Sequence, residues 1–167
     1  MSRPTEVMSP FASRPPEAMA LYNSVLISEL LVNACWAKEQ RDGTGLPWPV
    51  VYLILPLTLH PETRDSLPRD RRITLARWAV QNQDLLADME YRVANMVPVT
   101  KRAIRHGLRV GRLGLDGTNL MALSKPKKVE PQWSDELKAS VRASRFCAQW
   151  FTEIETHMAF EFLGIGD

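Results

Sequence analysis

The amino-acid sequence predicts a mainly α-helical domain that carries one short β-hairpin. Apolar side chains recur at helical spacing over most of the chain. Strand-like alternation is confined to one stretch, which surrounds an Asp-Gly pair at residues 116–117. With 167 residues and 45% hydrophobic content, a single domain is large enough to bury a core.

Composition limits the compartment and the kinds of partner. The formal net charge is only +2, so attraction to polyanions must come from a local cluster of charge. Cys35 and Cys147 are far apart in apolar helical contexts, which argues against a disulfide framework and fits a reducing compartment. No signal-peptide core is present, and no apolar run approaches the roughly 20 residues that cross a bilayer. We therefore expect a cytoplasmic protein without a membrane partner.

The N-terminal part divides into an arm and the first helix. Residues 1–16 contain four prolines and predict an extended or disordered arm, and residues 17–167 are predicted to form one domain. The first helix is predicted over residues 17–40, because Pro15 and Pro16 suit a helix start. Its apolar stripe is wide, so we expect it to be largely enclosed, with another chain as one candidate for part of the cover.

Residues 46–68 hold the most apolar run of the chain, which must be buried. The β-branched and aromatic side chains within residues 50–54 favour a buried strand. Pro47 or Pro49 could instead open a helix that bends at Pro56. Of these two alternatives we favour the helix.

Three helices are predicted next. Thr74 is a candidate N-cap for a short helix that runs to Gln81. Apolar residues within 86–96 follow at helical spacing. Pro98 does not continue a helix smoothly but suits a first turn, so residues 98–108 are predicted to form a separate helix.

The C-terminal third begins with the hairpin, whose two alternating segments lie within residues 112–123. Residues 124–131 form a basic linker bounded by prolines. A long final helix is predicted over residues 135–163, with Ser134 as its N-cap.

This order of three helices and a two-stranded hairpin is the order of a winged helix-turn-helix. In that fold residues 98–108 take the place of the recognition helix. Its inner face would consist of Val99, Ala103, Ile104 and Leu108. The basic residues of its outer face, and of the base of the wing, are Lys101, Arg102, Arg105, Arg109 and Arg112.

Residues 98–112 contain these five cations and no acid, which makes a concentrated basic patch in a nearly neutral chain. Such a patch can neutralise phosphates and release counterions without reading sequence. The alternatives are a docking surface for an acidic partner or a merely solvated face. Base-specific reading is disfavoured, because the outer face lacks the Asn, Gln or Ser that accompany arginine at base edges.

No catalytic or metal-binding constellation is apparent. His60, His106 and His157 are widely separated, and His60 with Glu62 has no third ligand at metal-site spacing. A glycine loop of the phosphate-binding type is missing as well. We therefore predict a protein that is not an enzyme and uses no cofactor.

Two of the tryptophans are candidate interface anchors. Trp48 and Trp133 lie in proline-rich connections, although packing on the chain's own surface is the alternative. Trp78 and Trp150 fall in helical stripes and are predicted to be core residues.

Residues 55–68 read Leu-Pro-Leu-x-Leu-His-x-x-Thr-Arg-x-x-Leu-Pro, and weaker matches lie at Arg92 and at residues 148–151. With these motifs the chain resembles, over most of its length, the middle component of bacterial ABC three-component systems. The resemblance draws attention to His60 and Arg64 as candidate partner contacts. For Arg64, hydrogen bonds within a turn, to backbone carbonyls or a carboxylate, are the alternative.

The resemblance implies a small non-catalytic adaptor between an SMC- or Rad50-like ABC ATPase and a third, effector component, in anti-phage or other genetic-conflict systems. It also implies a likeness to the winged-helix accessory subunits of condensin complexes. A second copy of the chain and non-specific DNA are further candidate partners. The alternative function is a stand-alone winged-helix transcriptional regulator, which would bind one operator without an ATPase.

Overall fold

The structure, a computed structural model, describes residues 23–152 and 154–166. The predicted arm at residues 1–16 and the first part of the helix predicted over 17–40 lie outside the described residues. The described residues form eight helices and a three-stranded antiparallel sheet. In chain order the elements are α1 (Ser24–Asp42), β1 (Leu46–Pro47), α2 (Trp48–Leu59), α3 (Pro61–Ser66), α4 (Leu75–Gln81), α5 (Gln83–Leu86), α6 (Met89–Arg109), β2 (Leu113–Asp116), β3 (Asn119–Ala122), α7 (Asp135–Trp150) and α8 (Thr156–Phe162).

The helices α1 and α2 form the centre of the core. The Asn23 side chain caps α1 by accepting a hydrogen bond from the Leu26 N–H, and α1 packs against α6 and α7. Its residues 30–35 are all buried, so the expected enclosure is confirmed and comes from the chain's own helices. Residues 53–57 of α2 are all buried, and their four aliphatic side chains are completely so. The helical alternative for this segment is correct, with Pro49 in the first turn and Pro56 inside the helix.

The helix α6 is longer than predicted. It runs unbroken through Pro98, so the separate helix predicted over residues 98–108 is wrong. A proline inside a helix frees the carbonyl four residues earlier, which belongs to Ala94. Both Ala94 and Pro98 are exposed, so water can bind this carbonyl. The buried Met96 and Val99 hold the helix against the core on either side.

The predicted hairpin is confirmed, and one strand of the sheet was missed. β2 pairs antiparallel with β3, Asp116 faces Asn119, and Gly117 takes a positive φ of 58° in the turn. Leu46 and Pro47 add the third strand along β3, which gives the order β1-β3-β2. Two residues that include a proline carry no strand pattern, so the sequence alone could not predict β1.

The long helix predicted over residues 135–163 is two helices, which corrects that prediction. Ser134 caps α7 as expected, by accepting a hydrogen bond from the Leu137 N–H. The helix then ends at Trp150, whose indole Nε1 donates to the Ile73 carbonyl at 2.9 Å. The ensuing turn brings α8 against α4 and α2 and buries Ala159. None of the described helices has the length and apolar content needed to cross a bilayer.

Candidate partner-binding surface

Four basic residues of α6 lie on one exposed arc, which we call the basic row. The basic row consists of Lys101, Arg102, Arg105 and Arg109. An α-helix turns by about 100° and rises by about 1.5 Å per residue, so the four side chains lie within an arc of about 100° around the helix and span about 12 Å along its axis. The buried Val99, Ala103 and Ile104 occupy the opposite side of the helix. The predicted separation of a basic face from an apolar face is therefore present.

The charges of the basic row are directed to solvent. Among the residues that the structure describes, no carboxylate lies within ion-pair distance of any of the four. Their guanidinium and ammonium groups are therefore available to an anion that the chain does not supply.

The inner face of α6 differs from the prediction at one position. Leu108 was expected to face the core but is exposed, and Gly107 takes the inward place. A Cβ at Gly107 would lie 2.7 Å from the Ser28 hydroxyl oxygen and closer still to the Leu113 side chain. This close approach fixes the end of α6 against α1 and β2.

Arg112 does not share the solvent exposure of the basic row. Its Nε and Nη2 bind the two carboxylate oxygens of Glu29 at 2.7 and 2.8 Å. Its Nη1 donates to the Ser124 hydroxyl and the Lys125 carbonyl. The hydrogen bonds to Glu29 raise the pKa of Arg112. The charge of Arg112 is thus compensated within the chain, where it ties α1 to the hairpin and the following linker.

An aromatic pair lies in the first half of α2, a helix that packs against α6. Trp48 begins α2, is 38% exposed, and donates its backbone N–H to the Thr118 carbonyl in the hairpin turn at 2.9 Å. Its ring meets that of Tyr52 edge-on, with centroids 6.0 Å apart. Burial raises the pKa of the Tyr52 hydroxyl, and the positive charge of Arg105 opposes this shift. Near the end of α2, the Pro56 carbonyl accepts a hydrogen bond from Arg92 in the first half of α6, whereas Trp48 bonds the hairpin that follows α6. The start of α2 therefore lies towards the second half of α6, against which α2 packs.

Tyr52 was not among the predicted site residues, although Trp48 was. Tyr52 stands inside the apolar run of residues 50–55, where a tyrosine looks like any other core residue. The signal that finds it is the spacing of four residues from Trp48, which places both rings on one side of a helix. That signal exists only once the helical alternative for this segment is adopted.

Trp133 lies in a different region from Trp48. It is half-buried and lines an apolar groove of about 210 Å³ between α1 and α7, together with Val25, Leu26 and Leu137. The structure therefore places the two predicted interface tryptophans on separate surfaces.

The side chains of His60 and Arg64 make contacts within the chain. His60 Nδ1 accepts a hydrogen bond from the Thr63 N–H at the start of α3 and lies 2.8 Å from the Thr63 hydroxyl. Arg64 Nη1 donates to the Thr58 carbonyl at 3.3 Å and to the Ser140 hydroxyl at 3.2 Å. Arg64 Nη2 lies 3.8 Å from a carboxylate oxygen of Glu136. These bonds match the internal alternative for Arg64.

Arg92 is a buried residue to which the sequence analysis gave no role. It is only 4% exposed, and its guanidinium bonds Asp88, the carbonyls of Pro56 and Leu85, and the Thr63 hydroxyl. With Arg64 it binds two of the last carbonyls of α2, where positive charge is favourable. We call Arg64, Arg92, His60 and Thr63 the arginine joint. The motif at residues 55–68 thus builds a connection between helices.

Comparison with known proteins places the chain in a family. A family model described as "ABC-three component (ABC-3C) system Middle Component 3" matches residues 11–166. The chain belongs to this family. The resemblance to a middle component is therefore confirmed, and membership in a multi-component system implies protein partners. Searches of curated proteins and of solved structures found no match.

The cysteines of this middle component are core residues, as predicted. Cys35 and Cys147 are buried and unpaired, and burial raises the pKa of both thiols. A thiol held protonated in this way is a poor nucleophile. Trp78 and Trp150 are also buried as expected, with ring centroids 5.3 Å apart. Within residues 23–152 and 154–166, no three His, Cys, Asp or Glu side chains converge as metal ligands.

Proposed function

We propose that this middle component is a non-catalytic adaptor that links the ABC ATPase of its system to a third, effector component. The proposal includes an SMC-like ATPase, a role in anti-phage or other genetic conflict, and contact with DNA through the basic row. Family membership supports the adaptor role. The observation that carries the DNA contact is the exposed basic row, which lacks acidic partners in the described chain.

The order of the elements supports a winged-helix relationship. α1, β1, α2 and α6 precede the β2–β3 hairpin, and β1 joins the hairpin to complete a small sheet. In this proposal α6 is the recognition helix, β2 and β3 form the wing, and the short helices α3 to α5 are an insertion between α2 and α6. The basic row then occupies the outer face of the recognition helix.

The dimensions of the basic row fit contact with a nucleic-acid backbone. A span of about 12 Å corresponds to three or four nucleotides of one strand, which repeat about every 3.4 Å along the helix axis. Exposed Lys125, Lys127 and Lys128 follow the hairpin and extend the positive charge in the sequence. Such a surface would bind phosphates independently of base sequence.

A second candidate function for the same surface is the docking of an acidic segment of the ATPase or of the third component. The observation that favours it is the exposed Trp48, which pairs with Tyr52 on a helix that packs against α6, the helix that carries the arginines of the basic row. Tryptophan, tyrosine and arginine are the residues enriched at the centres of protein interfaces. Reversing the charge of the basic row distinguishes the two functions, because the first predicts loss of DNA binding and the second predicts loss of a protein partner.

Charge reversal at Lys101, Arg105 and Arg109 tests the proposal. We expect the triple glutamate variant to bind duplex DNA at least about tenfold more weakly and to lose about three units of its log–log salt slope, since each phosphate contact contributes about 0.9. Co-purification of the partners from the native operon should persist. Fluorescence anisotropy over a salt series measures the first result, and size analysis of the purified complex measures the second.

The matched control reverses three exposed arginines outside the surface, Arg69, Arg71 and Arg77, and so makes the same change in net charge. This control should leave DNA affinity and its salt slope nearly unchanged. If the triple variant loses its protein partners while DNA binding is intact, the acidic-docking function is correct. If both properties survive, the basic row has neither role.

A further inference from the structure

Trp48 lies at the exposed start of a helix that is mostly buried. Val50, Val51 and Leu53, which follow it in α2, are at most 1% exposed, whereas Trp48 keeps 38% of its surface in solvent. Pro47 pairs with Asn119 of β3, and the Trp48 N–H bonds the hairpin turn. The sheet and the hairpin turn therefore set the backbone position of Trp48.

The geometry of the aromatic pair leaves ring surface uncovered by the pair itself. The planes of Trp48 and Tyr52 are inclined by 80°. In such an edge-to-face contact, the two rings do not cover each other's faces as stacked rings would. A planar group can therefore stack on a ring without separating the pair.

The charge around the pair is suited to a phosphate that carries a base. The start of α2, which carries the pair, lies towards the second half of α6, where Lys101, Arg105 and Arg109 follow one another at intervals of about one turn. The hairpin turn that contacts Trp48 also carries the exposed carboxylate of Asp116. A phosphate would therefore bind on the α6 side of the aromatic pair, and the base would extend towards Trp48.

These observations point to a nucleotide ligand whose base is not already stacked within a duplex. We infer that Trp48 and Tyr52, beside the basic row, form a stacking site for an unpaired base of single-stranded or locally opened nucleic acid. The inference rests on the proposed contact of the basic row with nucleic acid and adds the class of strand that is bound. Stacking on aromatic side chains accepts every base, which agrees with a surface that lacks base-reading side chains.

The test compares two ligands on the full chain by fluorescence anisotropy, an oligothymidine of about 20 nucleotides and a duplex of equal length. Trp48→Ala should weaken oligothymidine binding about 5- to 150-fold and duplex binding less than about twofold. Trp48→Phe should keep most of the oligothymidine affinity. Trp48→Leu, which keeps apolar bulk for packing, should behave like Trp48→Ala.

A matched control is Tyr91→Ala. Tyr91 is a 69% exposed aromatic residue on α6, and it lies about 21 Å from Arg105 along the axis of that helix. It should leave both affinities unchanged. The inference is wrong if Trp48→Ala weakens both ligands equally or neither, or if Trp48→Leu binds like the wild type. It is also wrong if Trp48→Ala releases a protein partner with both affinities intact, which would identify a protein-binding site.

The charge-reversal variant separates this inference from the proposed function. Loss of duplex binding on charge reversal, together with an indifferent Trp48→Ala variant, would retain the DNA contact and reject the stacking site. If the wild-type chain binds neither ligand, both proposals fall.

Discussion

The two halves of α6 use arginine in opposite ways. In the first half Arg92 is 4% exposed and its guanidinium bonds four groups of the chain. In the second half the basic row is exposed and has no acidic partner among the described residues. The same side chain thus stabilises the fold at one end and is available to a ligand at the other. The position around the helix, and not the local composition, decides between these roles.

Arg112 occupies an intermediate position in this comparison. Its side chain is 21% exposed and binds Glu29 with two parallel hydrogen bonds. It follows the basic row in sequence by only three residues, yet its charge is compensated. Residue type and proximity in sequence therefore do not suffice to define a charged surface.

The largest effect on stability is expected at the arginine joint. Arg92→Gln leaves the carbonyls of Pro56 and Leu85 without their cationic donor, so the free energy of unfolding should fall by about 3–5 kcal/mol. Urea denaturation measures this loss. Arg92→Lys keeps the charge but not the planar fork and should recover only part of the stability. A loss below about 1 kcal/mol would show that the joint does not hold the helices together.

A smaller effect is expected at the pair of Arg112 and Glu29. Arg112→Gln and Glu29→Gln should each cost about 1–2 kcal/mol, because the pair is partly buried and bidentate. In a double-mutant cycle the two changes should be non-additive by about 1 kcal/mol. Additive changes would mean that the pair makes no net contribution.

The smallest effect on stability is expected in the basic row. Arg105→Ala removes an exposed side chain without a described acidic partner, so the unfolding free energy should change by less than about 0.5 kcal/mol. Thermal and urea unfolding measure it beside the Arg92 variants. A loss above about 1 kcal/mol would place Arg105 in the structural class and end the contrast between the two halves of α6.

Local signals in the sequence were sufficient for much of the fold. Thr74 and Ser134 cap their helices as expected, and the Asp-Gly pair forms the hairpin. The errors occurred where tertiary contacts override local preference. Pro98 does not end α6, because the buried Met96 and Val99 hold the helix against the core on either side of it, and the freed Ala94 carbonyl is on the exposed side. The C-terminal helix ends at Trp150, although its apolar spacing continues beyond that residue.

The candidate surface could be predicted only in part for a related reason. The basic row is visible as a dense cluster of cations in a nearly neutral chain. The partner of Arg112 lies 83 residues away, so no local pattern indicates that its charge is compensated. The proposed role of Tyr52 depends on the packing of α2 against α6, which no local sequence pattern indicates.

The length of α6 has a consequence for binding. Its 21 residues form a rod of about 31 Å that is anchored by Arg92 near one end and by Gly107 near the other. The spacing of the basic row is therefore preorganised before a ligand arrives. Binding would have to order side chains alone, at about 0.5–1.5 kcal/mol for each long side chain, and no backbone. The affinity of such a surface benefits because the backbone that carries the charges does not have to be ordered on binding.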